Sequence, residues 1–302
     1  DLHKAIRRQR QMCIRDRGAL DAAQQTGELS YDGYKKVWSD EFNGDSLNRA
    51  DWNVETHEKG WVNNELQEYV DSAENIQVKD GKLIINPVKK VTDGDTGSTK
   101  EAASYTSGRV STQNKQTFTY GRFECRAKVP KGQGYLPAFW LMANDENVYG
   151  QWPRCGEIDC MEVMGQETNK AYGTIHYGNP HSQSQGIYTI TDGADFSDDF
   201  HIYTCDWEPG KITWYVDGVK YHEESEWHST TVGQGTLAYP APFDQPFYII
   251  LNLAVGGSWV GNPNDETSFE NNPYVIDYVR VYQKDSYDED VKRPGKISLV
   301  MS

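Results

Sequence analysis

From Val37 to about Tyr282, short runs of the chain alternate apolar and polar residues, and Gly, Asn and Asp separate the runs. Examples are KLIINPV (82–88), GRFECRAKV (121–129), AYGTIHYG (171–178), IYTCDWE (202–208), ITWYVDG (212–218), FYIILNLAV (247–255) and VIDYVRVYQ (275–283). Successive side chains of a strand point to opposite faces, so a period of two predicts half-buried antiparallel strands. In WYVDGVKY, Asp217-Gly218 separates two such runs, the residue pair of a type I′ hairpin turn. No stretch sustains the 3.6-residue period of a helix, and no longer repeat is present. So many short strands in one block predict an all-β fold. The expected architecture is a β-jelly-roll sandwich of two curved antiparallel sheets, with a concave cleft lined by side chains of one parity.

The pattern also divides the chain. Residues 34–284 form the predicted domain. Residues 1–33 read as an N-terminal extension outside the fold, because residues 1–17 carry six Lys/Arg and two Asp and then give way to a polar lead-in. The string MCIRDR within them reads as translated sequencing-adapter remnant, and the segment has no apolar core of the kind a secretory signal needs. Residues 285–302 are charged and read as a tail or linker.

Composition narrows the partners. The formal net charge is −15, which excludes neither a neutral polymer nor a charge-indifferent ligand but argues against nucleic acid and anionic membrane. The longest apolar runs are too short to span a bilayer. With 9 Trp and 19 Tyr, the chain is rich in flat apolar faces that sugar rings can stack on. The five cysteines, Cys13, Cys125, Cys155, Cys160 and Cys205, show no metal-binding spacing and read as buried thiols.

The candidate chemistry lies in GEIDCME (156–162). On a regular strand Glu157 and Asp159 share a face, while Ile158 and Cys160 point into the core. Glu162 is then out of phase. One extra residue, a β-bulge at or near Met161, would return it to the face of the other two acids. Three acids on one stripe repel each other and raise each other's pKa, which suits general acid catalysis near neutral pH. By spacing alone, catalysis, a calcium site of three acids and a solvated strand face all stay open. Trp140, Trp152 and His176, in or beside flanking strands, favour a sugar site, since a metal cage has no use for indoles.

GEIDCMEVMG resembles the active-site signature of glycoside hydrolase family 16. The resemblance runs from VWSDEFNG (37–44) through GWVNNELQEY (60–69), YTSGRV (105–110), TYGRFECRAKVPKG (119–132), PAFWLM (137–142), YGQWP (149–153), TIHYG (174–178) and LNLAVGGSWVG (251–261) to DYVRVYQ (277–283), in the order of the family's laminarinase branch. It implies a retaining endo-hydrolase of β-1,3-glucan or mixed β-1,3/1,4-glucan that needs no cofactor for catalysis. Glu157 would be the nucleophile, Asp159 its orienting partner and Glu162 the acid/base. His176 would support the carboxylates, and Asn63, Arg109, Trp140, Trp152 and Trp259 would line the cleft. It also implies a secreted monomer and a structural Ca²⁺ held by Glu41, the Gly81 carbonyl and Asp277. Cys160 departs from the aliphatic residue usual there and should face the core. A hydrolase of agar or porphyran galactan, or a non-catalytic β-glucan-binding protein, remain the alternatives.

Overall fold

The computed structural model describes residues 12–13, 27–91, 103–231, 233 and 235–295. Every element among them is a strand, so no described helix is long and apolar enough to cross a membrane. Two sheets of eight strands each face one another. The first carries the candidate chemistry. Its central strands Tyr135–Ala143, Glu157–Glu162 and Lys170–Tyr177 run antiparallel side by side, flanked by Ser182–Thr189 on one side and Phe247–Val255 on the other. The second is built around Gly121–Lys128, His201–Glu208 and Tyr274–Lys284.

Alternation explains the packing. Phe139, Leu141, Ile158, Ile175, Leu251 and Leu253 of the first sheet meet Phe123, Cys125, Tyr203, Cys205, Trp207 and Val279 of the second, all buried. Burying aromatic and branched side chains of this size is the main force holding the sheets together, at about 1.5–3 kcal/mol each. The described cysteines, Cys125, Cys155, Cys160 and Cys205, are free and buried, as expected of core-filling thiols. The hairpin at Asp217-Gly218 also matches its sequence: both residues have positive φ, 50° and 80°, as a type I′ turn requires.

The domain limits differ from the expectation at both ends. Of residues 1–26 only Met12–Cys13 are described, as a two-residue strand parallel to Leu29–Ser30. Residues 27–33 belong to the fold. Leu29 is fully buried against Ile202, and the Tyr31 hydroxyl donates to Glu124 on the outer face of the second sheet. At the other end Tyr287 packs against Tyr120, and Arg293 donates to the Trp227 carbonyl at 2.8 Å, so the fold extends past 284. The segment 296–302 lies outside the described residues.

Asp277 also departs from its expected place. Simple alternation puts it on the core face with Val279 and Val281. Instead the register against Gly121–Lys128 skips it, with Arg126 opposite Tyr278 and Ala127 opposite Ile276. The bulge turns Asp277 outward, where Arg126 Nη1 donates to it at 2.8 Å.

Candidate active site

The strand Glu157–Glu162 carries the expected bulge. Against Tyr135–Ala143, Trp140 faces Asp159 and Phe139 faces Met161, so Cys160 has no partner of its own. Against Lys170–Tyr177, Asp159 faces Thr174 and Glu162 faces Tyr172, leaving Gly173 opposite both Cys160 and Met161. Both of those residues turn into the core, and Glu157, Asp159 and Glu162 share the concave face. Gly173, opposite the bulge, makes room for rings of the second sheet: a Cβ there would lie 2.4 Å from Trp214 Cδ1 and 2.5 Å from the Tyr221 hydroxyl. Trp214, reaching across from the second sheet, donates its indole N–H to the Asp159 carbonyl at 2.9 Å.

Glu157 and Glu162 line a cleft of about 410 Å³, with Asp159 buried beside them. Burial raises all three pKa values, and mutual repulsion adds to it. Glu157 is pushed well up by burial and then by Asp159. Asp159 is pushed well up by burial and then by Glu162. Glu162 is pushed up to about 8 by burial, Glu157 and Glu65. The group therefore holds protons that isolated carboxylates would release. Partners distinguish the members. The Trp152 indole N–H donates to Glu157 Oε2 at 2.7 Å, favouring a charge on that oxygen. His176 Nε2 lies 2.9 Å from Asp159 Oδ2. Glu157, Asp159 and His176 bring one donor atom each within 4.8 Å of one another, a set able to grip a metal ion. Those groups are already engaged by Trp152 and by one another.

Asn63, Trp152, His176 and Trp259 line the cleft as expected. Trp152 and Trp259 are each 45% exposed, at the surface where a sugar ring could stack. Arg109 and Trp140 lie on the same sheet face but beside the cleft wall rather than on it. Arg109 is buried, paired with Glu55, and its guanidinium sits 5.0 Å from the Trp140 ring and 5.1 Å from the Trp61 ring. Trp140 in turn donates to Asn252 Oδ1 at 2.7 Å. This pair holds neighbouring aromatics in place.

Sequence reasoning missed Glu65, His181, Gln183 and Gln185, all lining the cleft. Glu65 lies in the GWVNNELQEY block already noted. Its loop is pinned by Asn63, whose φ of 52° an asparagine tolerates and whose carbonyl accepts the Ser258 N–H at 2.9 Å. Gln67 Nε2 donates to Glu65 at 2.8 Å. His181 follows a hairpin, and nothing local in the sequence marks it.

Two of the residues expected to hold Ca²⁺ are engaged by arginines. Arg280 grips the Glu41 carboxylate through two nitrogens, at 2.6 and 3.1 Å. Arg126 takes Asp277. Gly81, with φ of 74°, serves the turn between Ile76–Lys79 and Lys82–Ile85.

A curved antiparallel sheet with a carboxylate stripe flooring a cleft between exposed indoles has the form of a polysaccharide-cleaving enzyme. The chain belongs to the glycosyl hydrolases family 16, whose profile matches residues 63–280. It is 39% identical over 255 residues to a glucan endo-1,3-beta-glucosidase of Cryptopygus antarcticus, covering 80% of this chain and 90% of that one. It is 40% identical over 267 residues to glucan endo-1,3-beta-glucosidase A1 of Niallia circulans, covering 83% of this chain but only 38% of that longer protein. The structure of an endo-beta-1,3-glucanase from Pyrococcus furiosus is similar with a TM-score of 0.69 at 38% identity, over 83% of this chain and 95% of that one.

Proposed function

We propose that this chain cleaves internal bonds of β-1,3-glucan, including mixed β-1,3/1,4-glucan, by a retaining double displacement. The observation that carries the reading is the bulged strand that turns Glu157, Asp159 and Glu162 to one face of the sheet, with Glu157 and Glu162 lining the cleft. The names of the relatives support the substrate. The cleft supports it too, since none of the described residues lining it is Lys or Arg, as a sulfated galactan would call for.

In this reading Glu157 Oε attacks the anomeric carbon while the glycosidic C–O bond breaks. Glu162 gives its proton to the departing oxygen. Asp159, tied to His176, orients Glu157. Once Glu157 is an ester its charge is gone, and the pKa of Glu162 falls. Glu162 then takes a proton from water, whose oxygen attacks the same carbon and releases Glu157. Two inversions retain the anomeric configuration. Asn63, Trp152 and Trp259 contact the glycan, with Arg109 and Trp140 supporting the wall. A substrate too large to cross a membrane supports action outside the cell.

Laminarin, lichenan, agarose, porphyran and carrageenan, each assayed with product analysis, test the substrate. Laminarin should be the best, giving oligosaccharides of retained configuration. Binding to laminarin without turnover would favour the glucan-binding alternative, and inverted product would end the double-displacement reading. Azide tests the roles. On an activated aryl glycoside it should rescue Glu162→Ala as a β-glycosyl azide and Glu157→Ala as an α-azide; the reverse pattern would exchange the two roles.

A further inference from the structure

His181 closes a chain of contacts that the catalytic reading leaves open. The strands Lys170–Tyr177 and Ser182–Thr189 pair with Tyr177 opposite Ser182, so the connecting turn returns His181 beside His176. Asn179 N–H donates to the Thr230 carbonyl at 2.9 Å and anchors this turn. His181 Nε2 lies 2.8 Å from His176 Nδ1. The two rings are only 18° from coplanar, with centroids 5.0 Å apart. They meet edge to edge, so the lone pair of one nitrogen lies in line with the N–H of the other. Trp152 covers both, its ring 5.3 Å from His181 and 6.2 Å from His176, while its N–H holds Glu157.

The proton count along this chain has one consistent solution that delivers a donor to Asp159. His176 Nε2 faces the Asp159 carboxyl and must carry a proton to donate to it. In the neutral imidazole Nδ1 is then an acceptor, and the His181 nitrogen 2.8 Å away serves it by carrying the N–H. Burial and the neighbouring His176 hold the His181 pKa below its ordinary value, in keeping with a neutral ring. Glu157 hydrogen-bonds to Asp159 in turn, so the tautomer of His176 bears on how one proton is shared between those two carboxyl groups.

We propose that His181 is a positioning residue for this active site: through Nε2–H to His176 Nδ1 it selects the His176 tautomer that donates to Asp159, and so keeps Asp159 and Glu157 poised for attack. The inference rests on the catalytic roles proposed above. His181 moves no proton to substrate. It acts by ruling out the tautomer in which His176 Nε2 would carry a lone pair against Asp159.

The test compares His181→Phe with His181→Gln, whose amide can place an N–H where the imidazole Nε2–H was. On laminarin, His181→Phe should lower kcat about 5- to 10-fold, the worth of roughly one hydrogen bond, with KM changed less than about twofold. His181→Gln should recover most of the rate. ¹⁵N NMR of His176 should show Nε2 protonated and Nδ1 unprotonated in the wild type and in His181→Gln, and a mixture in His181→Phe. An unchanged kcat in His181→Phe, a loss confined to KM, or an unshifted His176 spectrum would overturn the proposal. A wild type that cleaves no glucan would sink the functional reading instead, while the ¹⁵N spectra would still decide the tautomer.

Discussion

The outer face of the second sheet and the concave face of the first both bury charge, and they treat it oppositely. On the outer face opposite charges meet. Glu124, fully buried, receives the hydroxyls of Tyr31 and Tyr278 and lies 4.0 Å from Arg280. Arg280 pairs with Glu41, Arg126 with Asp277, and Arg122 with Asp206. On the concave face Glu157, Asp159, Glu162 and Glu65 crowd together, and their close partners are Trp152, His176 and Gln67 rather than Lys or Arg. Arrays of the first kind cost much desolvation energy but set each charge beside an opposite one, so they hold a structure. A crowd of the second kind strains the fold, and the strain appears as carboxyl groups that keep their protons. The outer face holds matched charges where nothing reacts, and the cleft holds unmatched ones where a sugar would lie, with the matched pair Arg109–Glu55 set beside its wall.

The largest expected effect breaks the cleft alone. Glu157→Ala should lower activity on laminarin at least about 10³-fold, as loss of a nucleophile does. Its melting temperature should hold or rise, since one of several crowded acids is gone. A melting temperature that falls with the activity would mean that the cleft acids are as structural as the outer ones. The reverse experiment comes next. Glu124→Ala leaves two buried hydroxyls and part of Arg280 unmatched, and should cost about 3 kcal/mol of stability. Its activity on laminarin should stay near wild type at a temperature where it is folded. A parallel loss of kcat would erase the contrast.

A smaller effect sharpens it. Glu162 has a folded pKa of about 8, against about 4.3 for an unfolded glutamate. Between those values the folded state binds the extra proton. The Glu162 contribution to stability is therefore whole below about pH 4.3, declines as pH rises towards 8, and is level above. Glu157 and Asp159 tilt the curve the same way. Glu162→Gln cannot ionise, so its melting temperature should gain on the wild type by a few degrees between pH 5 and pH 8. A constant gap across that range would show that Glu162 titrates as an exposed acid.

How much of this was legible in the sequence follows from the range of each interaction. Period-two runs need only neighbours along one strand, so the strands, the Asp217-Gly218 turn and the burial of Cys160 could all be read directly. The bulge could be read because three acids out of step on one strand demand a correction. Asp277 shows the limit. Its bulge is announced by nothing comparable, so simple alternation put it on the wrong face. His181 depends on a turn that brings it back five residues later, and Arg109 depends on Glu55 across a strand pair. Tyr31 lay in the polar lead-in read as outside the fold, and its place is set by Glu124, 93 residues away. Such contacts are properties of register and complementarity, which a one-dimensional pattern does not carry.

The pocket opposite the bulge bears on how this sequence can change over generations. Gly173, the extra residue at Cys160–Met161 and Trp214 occupy one space from three distant points of the gene. A side chain at 173 collides with the Trp214 indole. Dropping residue 160 or 161 realigns the backbone whose Asp159 carbonyl accepts the Trp214 N–H. Replacing Trp214 empties a hole beneath the catalytic strand. The three places thus depend on one another, and a graft of the acid strand into another sandwich should bring the chemistry only if the glycine and the tryptophan travel with it.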